Sequence, residues 1–178
     1  MATILSFNAS NSSTSINAQL LTHIKAYLTD THSVISHHAG EFDLPFYSND
    51  KEKLGFPDKL AQFFKLIDDS DAIIIATPEH NSNVPAQFKN LFDWATRFDR
   101  GEHKIFAGRP VLLLSTSPGK QGAINANNWL ANMLGYHNGK LVEQVAIGSF
   151  FERFNDGRFD DETASTLNNA ADKLLSSL

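Results

Sequence analysis

The residues best placed to do chemistry in this chain lie in three short polar stretches, each directly after an apolar run. Asn8 to Ser15 reads Asn-Ala-Ser-Asn-Ser-Ser-Thr-Ser, Thr77 to Pro85 reads Thr-Pro-Glu-His-Asn-Ser-Asn-Val-Pro, and Ser115 to Gly122 reads Ser-Thr-Ser-Pro-Gly-Lys-Gln-Gly. The first precedes a helical pattern. Its hydroxyls and amides can surround a phosphate with donors, although the same residues also fit a polar loop with an ordinary serine cap. In the second, Asn81 and Ser82 can hydrogen-bond a planar heterocycle, and Pro78 and Pro85 stiffen the backbone that presents the N–H groups. In the third, Gly119 and Gly122 let the backbone approach a ligand closely. Both of these stretches also fit plain strand-to-helix turns. None contains the Gly-Lys pair of a triphosphate loop or the GxGxxG of a Rossmann dinucleotide site.

Other chemistries are poorly served. The chain has no cysteine, which excludes disulfides, thiolate nucleophiles and thiolate metal sites. His37 and His38 are adjacent, and neighbouring side chains of an extended segment point to opposite faces. With no HExxH, no metal site is expected. His80 lies within the second stretch, where it is either a donor to a bound substrate or a packing group. Glu79 is read as a structural or helix-facing acid before a general base. Trp94 and Trp129 are read as core or interface residues.

The elements that must position these stretches follow from periodicity. Thr3 to Phe7 reads as a first strand. Leu20, Leu21, Ile24 and Leu28 then form one helical stripe, with Ser15 as the expected N-cap. Val34-Ile35 marks a weak second strand, and His37 to Phe56 reads as irregular, folded over the site or serving a subunit interface. Leu60, Phe63, Phe64 and Ile67 define a helix opened near Pro57. Ala72 to Thr77 is a strand, and Pro85 opens a helix through Phe88, Leu91, Phe92 and Ala95. Val111 to Leu114 is the fourth strand, followed by a helix with Trp129, Leu130, Met133 and Leu134. Leu141 to Ile147 is the fifth strand, Asp156-Gly157 a turn, and Leu167, Ala171, Leu174, Leu175 and Leu178 mark the last helix.

This alternation implies a parallel sheet covered by helices on both faces. The strands at Ala72 and Val111 are apolar without alternation, as central strands are. Five strands predict the doubly wound order 2-1-3-4-5. The three polar stretches follow strands 1, 3 and 4, neighbours in that order, so they should converge on one site. With 178 residues, 42% of them hydrophobic, the chain can bury a core, and it is read as one domain over residues 1–178. A net charge of −5 argues against nucleic acid. No signal peptide or spanning segment is seen, so the expected location is cytoplasmic, without membrane attachment.

With these residues in view, the chain resembles the NADPH-dependent FMN reductase family of flavodoxin-like proteins over nearly its whole length. The family's central motif, Thr-Pro-Glu-Tyr-Asn followed by Pro-Gly and Leu-Lys-Asn, stands here as Thr77-Pro78-Glu79-His80-Asn81, Pro85-Ala86 and Phe88-Lys89-Asn90, with Asp93-Trp94 beyond. Its first motif, Gly-Ser-x-Arg-x-x-Ser-x-Asn, is matched by Ser10, Ser15 and Asn17. Its third, Ser-x-Ser-Pro-Gly-x-x-Gly-Gly, is matched from Ser115 to Gly122. The departures are Ser12 for the phosphate-binding Arg, His80 for Tyr, and Ala9, Ala86 and Ala123 for glycines. An Arg lost from a phosphate site removes a charge-assisted hydrogen bond and leaves Ser12, Ser13 and Thr14 as neutral donors.

The resemblance implies a flavodoxin-like sandwich that transfers hydride from NAD(P)H to FMN, then reduces a flavin, quinone, azo compound or similar small acceptor. It implies FMN contacts from Ser10, Ser12, Ser15, Ile16 and Asn17, from Pro78, Glu79, His80, Asn81 and Ser82, and from Ser115, Ser117, Gly119 and Gly122. It also implies a homodimer or homotetramer, for which Phe150, Phe151 and Phe154 are available as interface aromatics. An electron carrier of the flavodoxin type, or a relative that has lost flavin, are the alternative readings.

Overall fold

The computed structural model describes residues 1–178. The elements follow in the order β1 (Thr3–Asn8), α1 (Asn17–Leu28), β2 (Ser33–His38), a 3-10 turn (Ala39–Glu41), α2 (Asn49–Glu52), α3 (Asp58–Asp68), β3 (Ala72–Thr77), α4 (Ala86–Ala95), a second 3-10 turn (Gly101–His103), β4 (Pro110–Thr116), α5 (Ile124–Tyr136), β5 (Lys140–Ile147), α6 (Phe150–Arg153), β6 (Phe154–Asn155), β7 (Arg158–Phe159) and α7 (Asp161–Leu175). The five long strands form one parallel sheet in the order β2-β1-β3-β4-β5. Every residue of β3 is buried, and β4 is buried from Val111 onward, as two-sided coverage demands. The edge strand β5 is only half-buried. No helix is long and apolar enough to cross a membrane.

The sheet separates two cores. On one face Phe7 packs against Phe42, Phe63 and Phe88 with ring centroids 5.9, 5.8 and 5.7 Å away, and the stripes of α3, α4 and α5 close over them. On the other, α1 and α7 pack over Ile4, Ile74, Leu112 and Leu114. The chain's many phenylalanines are therefore mainly core. Phe150 and Phe154 stack at 5.0 Å and pack on Phe159, so two of the three aromatics expected at an interface face their own chain, and only Phe151 is exposed. The Asp156-Gly157 turn closes the small β6–β7 hairpin, with both residues in the left-handed region.

Two local expectations are revised. Residues 37–56 are better ordered than their composition implies. Phe42 and Leu44 are buried, and α4 grips the segment through polar groups. Asn90 accepts from the Tyr47 N–H at 2.8 Å and donates to the Leu44 carbonyl at 3.1 Å, while the Trp94 indole N–H donates to the Pro45 carbonyl at 2.7 Å. His37 and His38 do not diverge either. The strand bends into a 3-10 turn at once, and both rings come to Glu41, at 2.7 and 3.6 Å.

Candidate functional site

Because β1, β3 and β4 are adjacent, the three polar loops leave the same edge of the sheet side by side. Ser12, Ser13, Thr14, His80, Asn81, Ser82 and Gly119 are all exposed, so together the loops form an open shelf.

The first loop is organised by its own side chains. The Ser10 N–H donates to Asn8 Oδ1 at 3.1 Å, the Ser12 N–H to Ser10 Oγ at 3.1 Å and the Thr14 N–H to Ser12 Oγ at 3.2 Å. The amides of Ser13, Ser15 and Ile16 are left without a protein acceptor, and they sit where α1 begins, at the positive end of its dipole. This is the donor set an anion needs. The helix is capped at Ile16 rather than Ser15, and no side chain caps it. Ser15 instead accepts the Ala18 N–H through its carbonyl at 3.1 Å, which leaves its hydroxyl outside the helix's bonding. Ile16 turns its side chain onto the core beside α1.

In the second loop, His80 and Asn83 exchange backbone bonds, N–H to carbonyl, at 2.8 and 3.1 Å. Between them Asn81 and Ser82 have φ of 52° and 61°, the pattern of a type I′ turn, which asparagine tolerates better than most residues. Their two amides donate to nothing within the protein. Pro78 is half-buried, and the His80 imidazole is exposed without a hydrogen-bond partner. Glu79 is taken up by the start of α5. Its carboxylate accepts from the Asn125 and Ala126 N–H groups at 3.0 and 3.3 Å and from Asn125 Nδ2 at 3.1 Å. It thereby caps α5, whose own N-cap Ala123 has no side chain able to do so.

The third loop is held by packing. Asn17, nearly fully buried, donates through Nδ2 to the Thr116 carbonyl at 3.1 Å and accepts the Thr116 N–H at 2.9 Å, which ties the start of α1 to the end of β4. Ser115 is fully buried, its hydroxyl facing Asn127 at 3.0 Å. The Ser117 hydroxyl donates to the Gly119 carbonyl at 3.1 Å. Gly122 is required for a reason unrelated to a ligand. It has φ +61°, and a Cβ there would stand 2.7 Å from the Ile147 carbonyl carbon. Gly119 has no comparable contact.

The expected residues thus divide. Ser10, Ser12, Ser15, Asn81, Ser82, His80, Ser117 and Gly119 are brought to the shelf. The side chains of Asn17, Glu79 and Ser115 are engaged by the protein, and Gly122 accommodates a neighbouring strand end. Sequence reading missed the partners in these braces, namely Thr116, Asn125 and Asn127, and the close backbone approach at Gly148. Gly148 carried a local signal, a glycine directly after the fifth strand. A Cβ at Gly148 would lie 2.0 Å from the Lys120 carbonyl oxygen.

The shelf's chemistry suits FMN. It offers unpartnered amides at a helix start for the phosphate, and a second set of unpartnered amides on a stiff turn for a ring edge. Comparison with known proteins points the same way. The sequence profile of the NADPH-dependent FMN reductase family matches residues 2–152. A quinone reductase of Pseudomonas putida is 33% identical over 137 residues, covering 75% of this chain and 73% of that protein. An NAD(P)H-dependent FMN reductase of Pseudomonas aeruginosa is 32% identical over 127 residues, covering 70% and 67%. Among solved structures, FerB, a flavoenzyme NAD(P)H:(acceptor) oxidoreductase from Paracoccus denitrificans, superposes with a TM-score of 0.77 at 26% identity, covering 99% of this chain and 96% of that one.

Proposed function

The chain belongs to the NADPH-dependent FMN reductase family, and we propose how its own residues serve that chemistry. The protein is an FMN-dependent NAD(P)H oxidoreductase. Bound FMN supplies the hydride-accepting and electron-donating chemistry.

The amides of Ser13, Ser15 and Ile16, with the hydroxyls of Ser10, Ser12 and Ser15, would hold the phosphate. They use neutral donors and the α1 dipole where the family has an arginine. The Asn81 and Ser82 amides, which have no protein acceptor, would donate to the flavin ring and stabilise its reduced form in the manner of an oxyanion hole. Pro78, Ser117 and Gly119 line the shelf between them. Asn17 and Glu79 act at one remove, fixing the first loop and the second to the third. The His80 ring, exposed and without a protein partner, would be free to stack or to donate. Residues 1–178 act as one domain.

The observation that carries this assignment is the presence of unpartnered amides on two loops that leave adjacent strands, while Asn17, Glu79 and Ser115 are engaged in holding the loops in place.

A quinone-like acceptor is inferred from the relatives, and a cytoplasmic location goes with this reading. We also infer a homodimer. Phe46 and Leu54 are 74% and 88% exposed on the segment gripped by α4, and Phe56 is near them in sequence, an apolar surface of the kind that subunit contacts cover. Analytical ultracentrifugation tests it, and a monomer at micromolar concentration would refute it.

The test of the functional reading is the visible spectrum of purified protein with FMN, before and after anaerobic NADPH. Flavin bands that survive desalting and bleach on addition are expected. Retained flavin that neither NADPH nor NADH bleaches would instead indicate an electron carrier, and protein that retains no flavin would refute the shelf as an FMN site.

A further inference from the structure

Beneath the first loop, between α1 and the edge of the sheet, lies a cavity of about 210 Å³. It interrupts a layer that begins apolar. Ile4 and Val34 pair across β1 and β2, but two residues on, Ser6 pairs with Ser36, and two further on, Asn8 pairs with His38. Alternation puts these residues on the same face of the sheet. All four upper residues line the cavity, together with His37 and, from α1, Lys25, Thr22 and the apolar Ala18 and Leu21.

Two of the lining residues are more than nine-tenths buried, and each turns to the cavity a polar atom that no protein group bonds. Ser6 is 3% exposed and its hydroxyl makes no hydrogen bond within the protein. Asn8 is 8% exposed. Its Oδ1 accepts the Ser10 N–H at 3.1 Å, while its Nδ2 finds no acceptor. The surroundings add donors. Lys25 Nζ donates to Ser36 Oγ at 3.1 Å. His38 Nδ1 accepts the Gly40 N–H at 3.1 Å, so a neutral ring carries its proton on Nε2. The nearest carboxylate, Glu41, is engaged by His37 Nδ1 at 2.7 Å and by the His38 N–H at 2.9 Å.

The cavity therefore presents an ammonium and, from Ser6 and Asn8, two donors without a protein acceptor, while His38 Nε2 faces Glu41 at 3.6 Å. With about 30 Å³ per water, it has room for a tetrahedral oxyanion and some of its hydration. We propose that this cavity is a binding site for a small free oxyanion of the phosphate type, with Lys25 as its counter-charge and Ser6 and Asn8 as its inner donors. The site is separate from the first loop, yet Asn8 belongs to both. One end of its amide shapes the loop and the other faces the cavity.

The test is isothermal titration of FMN-saturated protein with inorganic phosphate at constant ionic strength. One saturable site is expected, weakened about tenfold or more in Lys25→Met, with FMN affinity unchanged. Lys25 is an exposed residue of α1, so that variant should fold normally. Ser6→Val, which replaces the inner hydroxyl by methyl groups, should weaken phosphate binding about tenfold as well. Absence of a saturable site would overturn the proposal. Phosphate binding of equal strength in Lys25→Met would also overturn it, because an ion lodged in the first loop would not depend on that side chain.

Discussion

The first loop and the second-and-third pair face the same shelf but are built on opposite plans. In the second and third, Glu79 caps α5, Ser115 meets Asn127, and the glycines Gly122 and Gly148 let backbones pass one another. In the first, Ser12 and Thr14 bond mainly to each other, at 3.2 Å between hydroxyls, and lie exposed. A braced region fixes geometry and tolerates little change. A loop closed on itself through exposed hydroxyls can exchange residues, and there the family's arginine has become Ser12 without disturbing any packing. Polar residues at a ligand site are thus of two kinds, and sequence composition alone does not separate them.

The largest effect should come from the braced side. Gly148→Ala places a methyl group where the Lys120 carbonyl stands. It should cost about 3 kcal/mol or more, the upper range for overpacking, and weaken FMN binding as well, both readable by urea unfolding and flavin titration. Asn17→Ala leaves the Thr116 N–H and carbonyl buried without partners and should cost about 2 kcal/mol. If either variant is as stable as the parent, the braces are not what holds the shelf.

The first loop should behave in the opposite way. Ser12→Arg should leave the unfolding midpoint nearly unchanged and tighten FMN about tenfold through a charge-assisted bond. The gain should shrink with added salt and be absent for riboflavin, which has no phosphate. Equal tightening of riboflavin would show that this loop does not face the phosphate.

The smallest effects give the sharpest contrast. Glu79 caps α5 and Asp160 caps α7, the latter by accepting the Thr163 N–H at 2.7 Å. Removing either carboxylate as Glu79→Ala or Asp160→Ala should cost about 1 kcal/mol, but only Glu79→Ala should weaken FMN. The Asp160 cap also has a pH signature. The backbone and side-chain hydrogen bonds from Thr163 hold its carboxyl below the usual range against the opposing effect of burial, and the Arg153 charge adds to them. Its folded pKa is thus lower than its unfolded one. The stabilisation is complete above an unfolded value of about 3.9 and is lost as pH falls through the lower folded value. Thermal melts between neutral and strongly acidic pH should show this dependence reduced in Asp160→Ala.

Much of the architecture was legible in the chain because it rests on periodicity. The stripes Leu60-Phe63-Phe64-Ile67 and Phe88-Leu91-Phe92-Ala95 are buried as their spacing requires, and the strand order follows from alternation and handedness. The N-cap of α1 was misplaced because Ser15 is one of several hydroxyls in a row, and only backbone geometry selects among them. The segment around Phe42 and Leu44 looked irregular because its order comes from Asn90 and Trp94, more than forty residues away.

The sequence by itself determined the sheet, the three loops that meet at its edge and the family to which they belong. All of these depend on residue type and local spacing. The tertiary structure alone decided which polar residues are free to meet a ligand. That depends on partners distant in sequence, such as Thr116 for Asn17 and Asn125 for Glu79, and a side chain whose hydrogen bonds are satisfied within the protein has little left to offer a ligand.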